Sequence, residues 1–314
     1  MSNMNYYNEI KSELLNNEIN RKVKNYSINK SDLITYYNVG KMLSEAGKHY
    51  GEGIINEYSS KLSIDIGKGY GPSNLKRMRQ FYYMIEKGVA MPHQLSWSHV
   101  LMILPLDDIN EINYYIDITI NNNIGYRELG KKIKNNEYQR LDIKAKNKLV
   151  NKLETNVIDF VKNPILIKNG YKYENISEKL LQKLILEDIT SFMKELGTGF
   201  SFIDNEFKIK VGNSYNYIDL LLYNIRFKCY VVIELKVTRL NSNHTGQIQN
   251  YMNYIDKNIK GMDDNKTVGI IICKQNNQYV IDYCSDDRII AREYELVWYN
   301  WCIQEVIIIA KYCN

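Results

Sequence analysis

The chain predicts an α/β fold in its C-terminal half, a mixed sheet flanked by helices, behind a mainly α-helical N-terminal half. Short apolar runs rich in Tyr, Val, Ile and Leu recur after residue 200, at lengths suited to buried strands. Helical periodicity precedes them over Ser177–Leu196 and resumes at Thr245. Before about residue 150, apolar residues recur at helical spacing. The order helix, several strands, helix, strand, strand defines an α/β layer with a mixed sheet.

In the N-terminal half, Asp32–Leu43 and Ile54–Ile64 carry apolar residues at helical spacing. Gly67-Lys-Gly-Tyr-Gly-Pro72 is a turn, and Ser73 is the expected N-cap of a helix running to about Lys87. Leu75, Met78, Tyr82 and Ile85 are expected to face inward in that helix, leaving Asn74, Lys76, Arg77, Arg79 and Gln80 polar. Helix, glycine-rich turn and basic helix form a helix-turn-helix layout, whose second helix enters the DNA major groove. These five side chains then contact phosphates or base edges; the competing reading is a solvated helix face. Phe81-Tyr-Tyr83 and Trp97 read as core. Tyr126–Lys134 reads as a short basic helix, and the polar, lysine-rich stretch from Arg140 to Asn151 as a connection. The expected division is a helical, DNA-binding domain over 1–150, a connecting segment over 151–170 and an α/β domain over 171–314.

In the α/β part, Ser177–Leu196 reads as one amphipathic helix stopped by Gly197. Phe200–Ile203 and Phe207–Val211 read as strands, with a turn at Asn213-Ser214. Tyr217–Tyr223 and Tyr230–Lys236 read as neighbouring buried strands joined by Asn224–Cys229. A hairpin symmetric about residues 226 and 227 puts Asp219 opposite Glu234, and strand alternation puts Lys236 on the side of Glu234. Opposed carboxylates repel, and a bound cation relieves the repulsion. Two acidic oxygen donors beside one lysine suit Mg²⁺ and an anionic substrate such as a phosphodiester. The alternative is a set of exposed strand charges; the apolar neighbours Val231–Ile233 and Leu220–Leu222 favour burial. In the helix after Thr245, Gln247 and Tyr251 are four apart and share a face. There they reach a phosphate or base beside the metal, or else Tyr251 is core and Gln247 is surface. Lys266–Cys273 and Gln278–Tyr283 read as further strands.

These segments together resemble a YhcG-type protein of the PD-(D/E)xK nuclease superfamily. The resemblance rests on Gly199-Phe-Ser-Phe, Tyr217-Ile-Asp-Leu-Leu, Tyr230-Val-Val-Ile-Glu-Leu-Lys, Gly246-Gln with Tyr251, and Asp264–Lys274. It extends to Gly71–Tyr82 and Leu95–Leu104, and so covers about residues 6–295. It implies a restriction-endonuclease-like fold and Mg²⁺-dependent attack on nucleic-acid phosphodiesters, with Mn²⁺ as the alternative ion. By position, Asp219, Glu234 and Lys236 match the nuclease core, and Gln247 and Tyr251 match a Gln-x-x-x-Tyr motif of some branches. The superfamily often adds an acid from the first core helix; Glu187 is the expected choice, with Glu178 and Asp188 as competitors. Asp219, Glu234 and the main-chain carbonyl of Leu235 are the expected metal ligands.

Length and composition agree with two domains: 314 residues, 45% hydrophobic and 25% charged. A net charge of +5 and a pI near 8.6 permit nucleic-acid binding without requiring it. The 27 tyrosines and the excess of Asn, Lys and Ile carry no functional weight beside the motif order. Cys229, Cys273, Cys284, Cys302 and Cys313 form no Cys-x-x-Cys pair, which argues against a zinc site and for reduced thiols. With no signal sequence at the start, a cytoplasmic protein with no membrane association is expected. No phosphate-cradling glycine loop supports an ATP-driven activity. The apolar tail 297–314 departs from the family pattern, and Glu305–Ala310 is too short to span a membrane. The tail packs on the core, mediates association or reflects an altered reading frame; its composition does not choose. A homodimer or another protein partner is left open. The competing functions are a DNA-binding or complex-forming protein that keeps the fold without cleavage, and a nuclease acting on RNA.

Overall fold

The computed structural model describes residues 6–23, 28–51, 53–170 and 176–298. Residues 299–314, most of the apolar tail, lie outside them. The chain divides into two compact units, Met1–Tyr138 and Gln139–Asn314.

The first unit is helical: α1 (Tyr6–Val23), α2 (Ile28–Tyr50), α3 (Ile54–Asp65), α4 (Pro72–Glu86), α5 (Trp97–Ile103), α6 (Ile109–Asn121) and α7 (Tyr126–Lys134). Helices α2 and α4 meet at Gly40, where a Cβ would lie 2.2 Å from the Met78 carbonyl oxygen, so only glycine allows the crossing. The start of α4 corrects the sequence reading. Gly71 occupies the N-cap position and Pro72 opens the helix, leaving Ser73 inside the first turn. Proline suits that position because its missing N–H has no helical partner there. The buried stripe is Leu75, Met78, Phe81 and Met84, with Tyr82 and Ile85 only half-buried. Trp97 packs against Tyr36 and Phe81, with ring centroids 4.7 and 5.7 Å away, as core aromatics do.

The second unit runs α8 (Ile143–Val150), β1 (Ile165–Asn169), α9 (Glu178–Glu187), α10 (Ile189–Leu196), β2 (Phe200–Val211), β3 (Ser214–Asn224), β4 (Cys229–Arg239), α11 (Ser242–Asn258), β5 (Asn265–Gln275), α12 (Gln278–Asp282) and β6 (Ile289–Trp298). Its six-stranded mixed sheet has the order β1-β6-β5-β4-β3-β2. β3 is antiparallel to β2 and β4, and β1, β4, β5 and β6 are mutually parallel where they pair. Alternation along the strands splits the core. Leu220, Leu222, Val231, Ile233 and Leu235 pack towards α9 and α10, whereas Leu221, Val232 and Ile271 pack towards α11.

Four elements differ from the sequence reading. Ile165–Asn169, within the expected connecting segment, is the edge strand paired with β6. The helix expected over Ser177–Leu196 breaks at Asp188, whose carboxylate accepts from the Ser191 N–H and so caps α10. The two strands expected within Phe200–Val211 are one strand with a register shift between Phe202 and Asp204. Gln278–Tyr283, expected as a strand, opens with the short helix α12, where Gln278 donates to Asp282 and no residue is buried. Val280 and Ile281 rest half-buried on the core cluster beneath α11, and Ile289–Trp298 supplies the final strand instead.

Cys229 and Cys273 are free and buried, and burial pushes both thiols up to about 11. Among the described residues, no helix is long and apolar enough to cross a membrane.

Candidate active site

The β3–β4 ladder ends at the pair Leu220–Ile233, and the next step of that register sets Asp219 against Glu234, as hairpin symmetry predicts. The strands diverge there. Asp219 closes the gap by accepting the Leu235 N–H through Oδ2 at 2.7 Å. Its own carbonyl accepts from Gln182 Nε2 on α9 at 3.0 Å.

Glu234 is 2% exposed. Its Oε1 accepts from Lys236 Nζ at 2.7 Å and from Gln247 Nε2 at 2.8 Å. Gln247 also donates to the Tyr251 hydroxyl at 2.9 Å, so the pair read from one face of α11 does meet the strand group. Glu234 Oε2 is buried with no hydrogen-bond partner. A buried acceptor left unpaired is costly, which makes this oxygen a donor suited to a cation.

The electrostatics express the same crowding. Burial, then the charge of Asp219, pushes the Glu234 carboxyl up to about 7, against the opposing pull of Lys236. Burial also raises Asp219; the Leu235 N–H and Lys236 pull it back, while Glu178 and Glu206 push it further. Burial disfavours the Lys236 ammonium, but its bond to Glu234 and the surrounding carboxylates outweigh this and raise it overall. Burial raises Tyr251, with the Gln247 bond opposing.

The three helix carboxylates lie in different places. Glu187 stands at the far end of α9, exposed and 3.9 Å from Lys183 of its own helix. Asp188 caps α10 and pairs with Lys168. Glu178, in the first turn of α9, has Oε2 3.7 Å from Lys236 Nζ. Ten residues of helix separate the two ends by about 14 Å, so only one end can serve the site. Sequence reasoning missed Gln182, although it is a polar residue on an otherwise apolar stripe of Leu181, Leu184 and Ile185, one turn after Glu178.

Among the described residues, no group of three or more His, Cys, Asp or Glu side chains converges as a ready-made metal cage. The arrangement still fits Mg²⁺, which is commonly held by one or two carboxylates with water and substrate phosphate completing its shell. Asp219 and the orphaned Glu234 Oε2 are hard oxygen donors of the required kind.

In the first unit, Lys76, Arg77 and Gln80 are exposed on α4, while Asn74 and Arg79 are half-buried. Asn74 Nδ2 donates to the Gly69 carbonyl at 2.8 Å and thereby ties the turn to the helix.

Residues 158–304 match the YhcG PDDEXK nuclease domain, and residues 10–140 match the DUF1016 N-terminal domain. The second unit, a mixed sheet flanked by helices, thus matches a nuclease domain of the PDDEXK class. The chain as a whole is similar to a YhcG-type protein. It is 20% identical over 317 residues to the Escherichia coli (strain K12) protein named "Putative nuclease YhcG", covering 86% of this chain and 84% of that protein. Two solved structures are also similar: a repair endonuclease from Pyrococcus abyssi and a complex of EndoMS with dsDNA. Both show 17% identity and a TM-score of 0.28 over 41% of this chain, and the matches span 50% and 49% of their own lengths.

Proposed function

We propose that the protein is a Mg²⁺-dependent endonuclease that hydrolyses phosphodiester bonds in DNA, with Mn²⁺ able to substitute. The observation that carries this reading is the buried Glu234 carboxylate with an unpartnered oxygen, opposite Asp219 and bonded to Lys236. Asp219, Glu234 and the Leu235 carbonyl would hold the ion, whose chemistry there is to acidify a water and neutralise phosphate charge. The chain's own residues do the rest. Lys236 orients the attacking water or stabilises charge on the phosphate oxygens. Gln247 fixes the Glu234 carboxylate in one orientation, and with Tyr251 it lines the approach of the scissile strand. Glu178 takes the position expected of Glu187, within ion-pairing distance of Lys236. In the N-terminal unit, Lys76, Arg77 and Gln80 of α4, with Asn74 and Arg79 beside them, contact the duplex as the second helix of a helix-turn-helix.

Purified protein should nick plasmid DNA in Mg²⁺ and stop in EDTA. Lys236→Ala should lower cleavage by about 10² or more while leaving DNA affinity within about twofold. A Lys236→Ala protein that cuts as fast as wild type would sink the assignment.

A further inference from the structure

The geometry points to the β2–β3 ribbon as a binding strip for an unpaired DNA strand, a role that rests on the DNA-cleaving reading of the neighbouring carboxylates. Beyond Leu220, β3 leaves β4 but stays paired with β2 as far as the Val211–Ser214 turn. The two strands therefore run on as a ribbon past the edge of the catalytic pair. One face of the ribbon is structural: Ile209 and Ile218 are buried, with Phe207 against them, in the cluster that contains Ile248, Tyr251 and Ile255 of α11.

The other face has no structural duty. Lys208 is paired across the ribbon with Tyr217, and Lys210 with Tyr215, so four residues share one surface. Tyr215 and Tyr217 are 56% and 52% exposed. Lys208 Nζ lies 3.9 Å from the centroid of the Tyr215 ring, a cation–π contact that holds the ring in place. No Asp or Glu occurs between Phe207 and Ile218, so the strip is purely cationic. Acidic residues return only at its base, where Glu206 lies opposite Asp219 in the β2–β3 register and helps raise the Asp219 carboxyl. Tyr217 is two residues from Asp219, about 7 Å along the strand.

Exposed phenol rings interleaved with lysines match one ligand chemistry closely. Each ring offers a flat surface on which a base can stack, and each ammonium reaches a phosphate. In a duplex both faces of a base are covered by its neighbours, so the rings have nothing to stack on. An unpaired strand offers both bases and phosphates. A strip ending beside Asp219 would lead such a strand to the carboxylates.

The test reads binding alone, in EDTA, by fluorescence anisotropy of a labelled oligothymidylate and of a blunt duplex of equal length. Wild type is compared with Tyr215→Ala/Tyr217→Ala, Tyr215→Phe/Tyr217→Phe and Lys208→Ala/Lys210→Ala, each checked by circular dichroism to be folded. The double alanine variant at the tyrosines should lose roughly tenfold in single-strand affinity for each ring removed and leave duplex binding within about twofold. The phenylalanine pair keeps the rings and should bind as wild type does. Removing both lysines should reduce the slope of log K against log salt for the single strand by about 1.4. Unchanged single-strand affinity without the tyrosines, or an equal loss on single strand and duplex, would overturn the proposal. Cleavage in Mg²⁺ is scored separately: a protein that binds through the ribbon and never cuts refutes the nuclease reading, not the strip.

Discussion

Glu234 has one carboxylate oxygen engaged by Lys236 and Gln247 and the other buried without a partner. Its carboxyl is pushed up to about 7, against an ordinary value of 4.5, so the folded, metal-free protein holds this proton more tightly than the unfolded chain. That stabilisation is fully present below about pH 4.5 and is lost as pH rises through about 7. In EDTA, the melting temperature should therefore fall across this window, and Glu234→Gln should flatten the fall. A wild-type melting temperature that changes from pH 5 to 8 no differently from the variant's would contradict the burial argument. Mg²⁺ should restore stability at pH 8 to wild type and not to the variant. Asp219, Glu234 and Lys236 were legible because two apolar strands and a short connection leave little freedom of register. The helix acid was not. Periodicity places Glu178 and Glu187 on a helix but does not say which end of it faces β4, and in the structure it is Glu178 that lies beside Lys236.

The placement of α11 depends on a glycine in β5. A Cβ at Gly269 would lie 2.5 Å from Met252 Sδ and 3.0 Å from Ile248 Cδ1, so the tips of two helix side chains rest on the strand backbone. Gly269→Ala should lower the melting temperature of this unit by roughly 2–10 °C in calorimetry, the range expected for overpacking a core. Because α11 carries Gln247 and Tyr251, the same variant should also slow cleavage measured below its transition. Helix α4 yields a different expectation. Lys76→Ala/Arg77→Ala should reduce the salt slope of duplex binding by roughly 2 if both side chains meet phosphates, and an unchanged slope would mark them as a solvated face. Helix α7 follows its sequence pattern over Tyr126–Lys134 residue for residue. α12 does not: Tyr, Val and Ile at 279–281 have the composition of a strand, but a short helix is enough to set Val280 and Ile281 against the core.

Residues 139–170 belong physically to the second unit, although they read as a connection because their Lys-rich surface hides few apolar positions. Arg140 bonds Glu195 and the Pro164 carbonyl, and the Lys162 side chain, 2% exposed, lies 3.8 Å from Glu195. Arg292 of β6 donates through Nε to the Val161 carbonyl at 3.0 Å. A chain starting at Gln139 should therefore fold alone and melt cooperatively. One starting at residue 171 lacks β1, strips this cover from β6 and should aggregate on expression. Equal solubility of the two would refute the assignment of the segment.

The pairing of β1 with β6 also sets an order of events. Ile165 meets Tyr294, 129 residues later, whereas Leu220 meets Ile233 across a tight hairpin. Local pairings of this kind close early and distant ones late, because the longer loop costs more entropy to close. On the ribosome, the hairpin bearing Asp219 and Glu234 can form while the first strand still waits for the last to emerge. The acidic pair is thus assembled before its edge of the sheet is sealed, and for that interval the open strand edges are the nascent chain's exposure to misassembly.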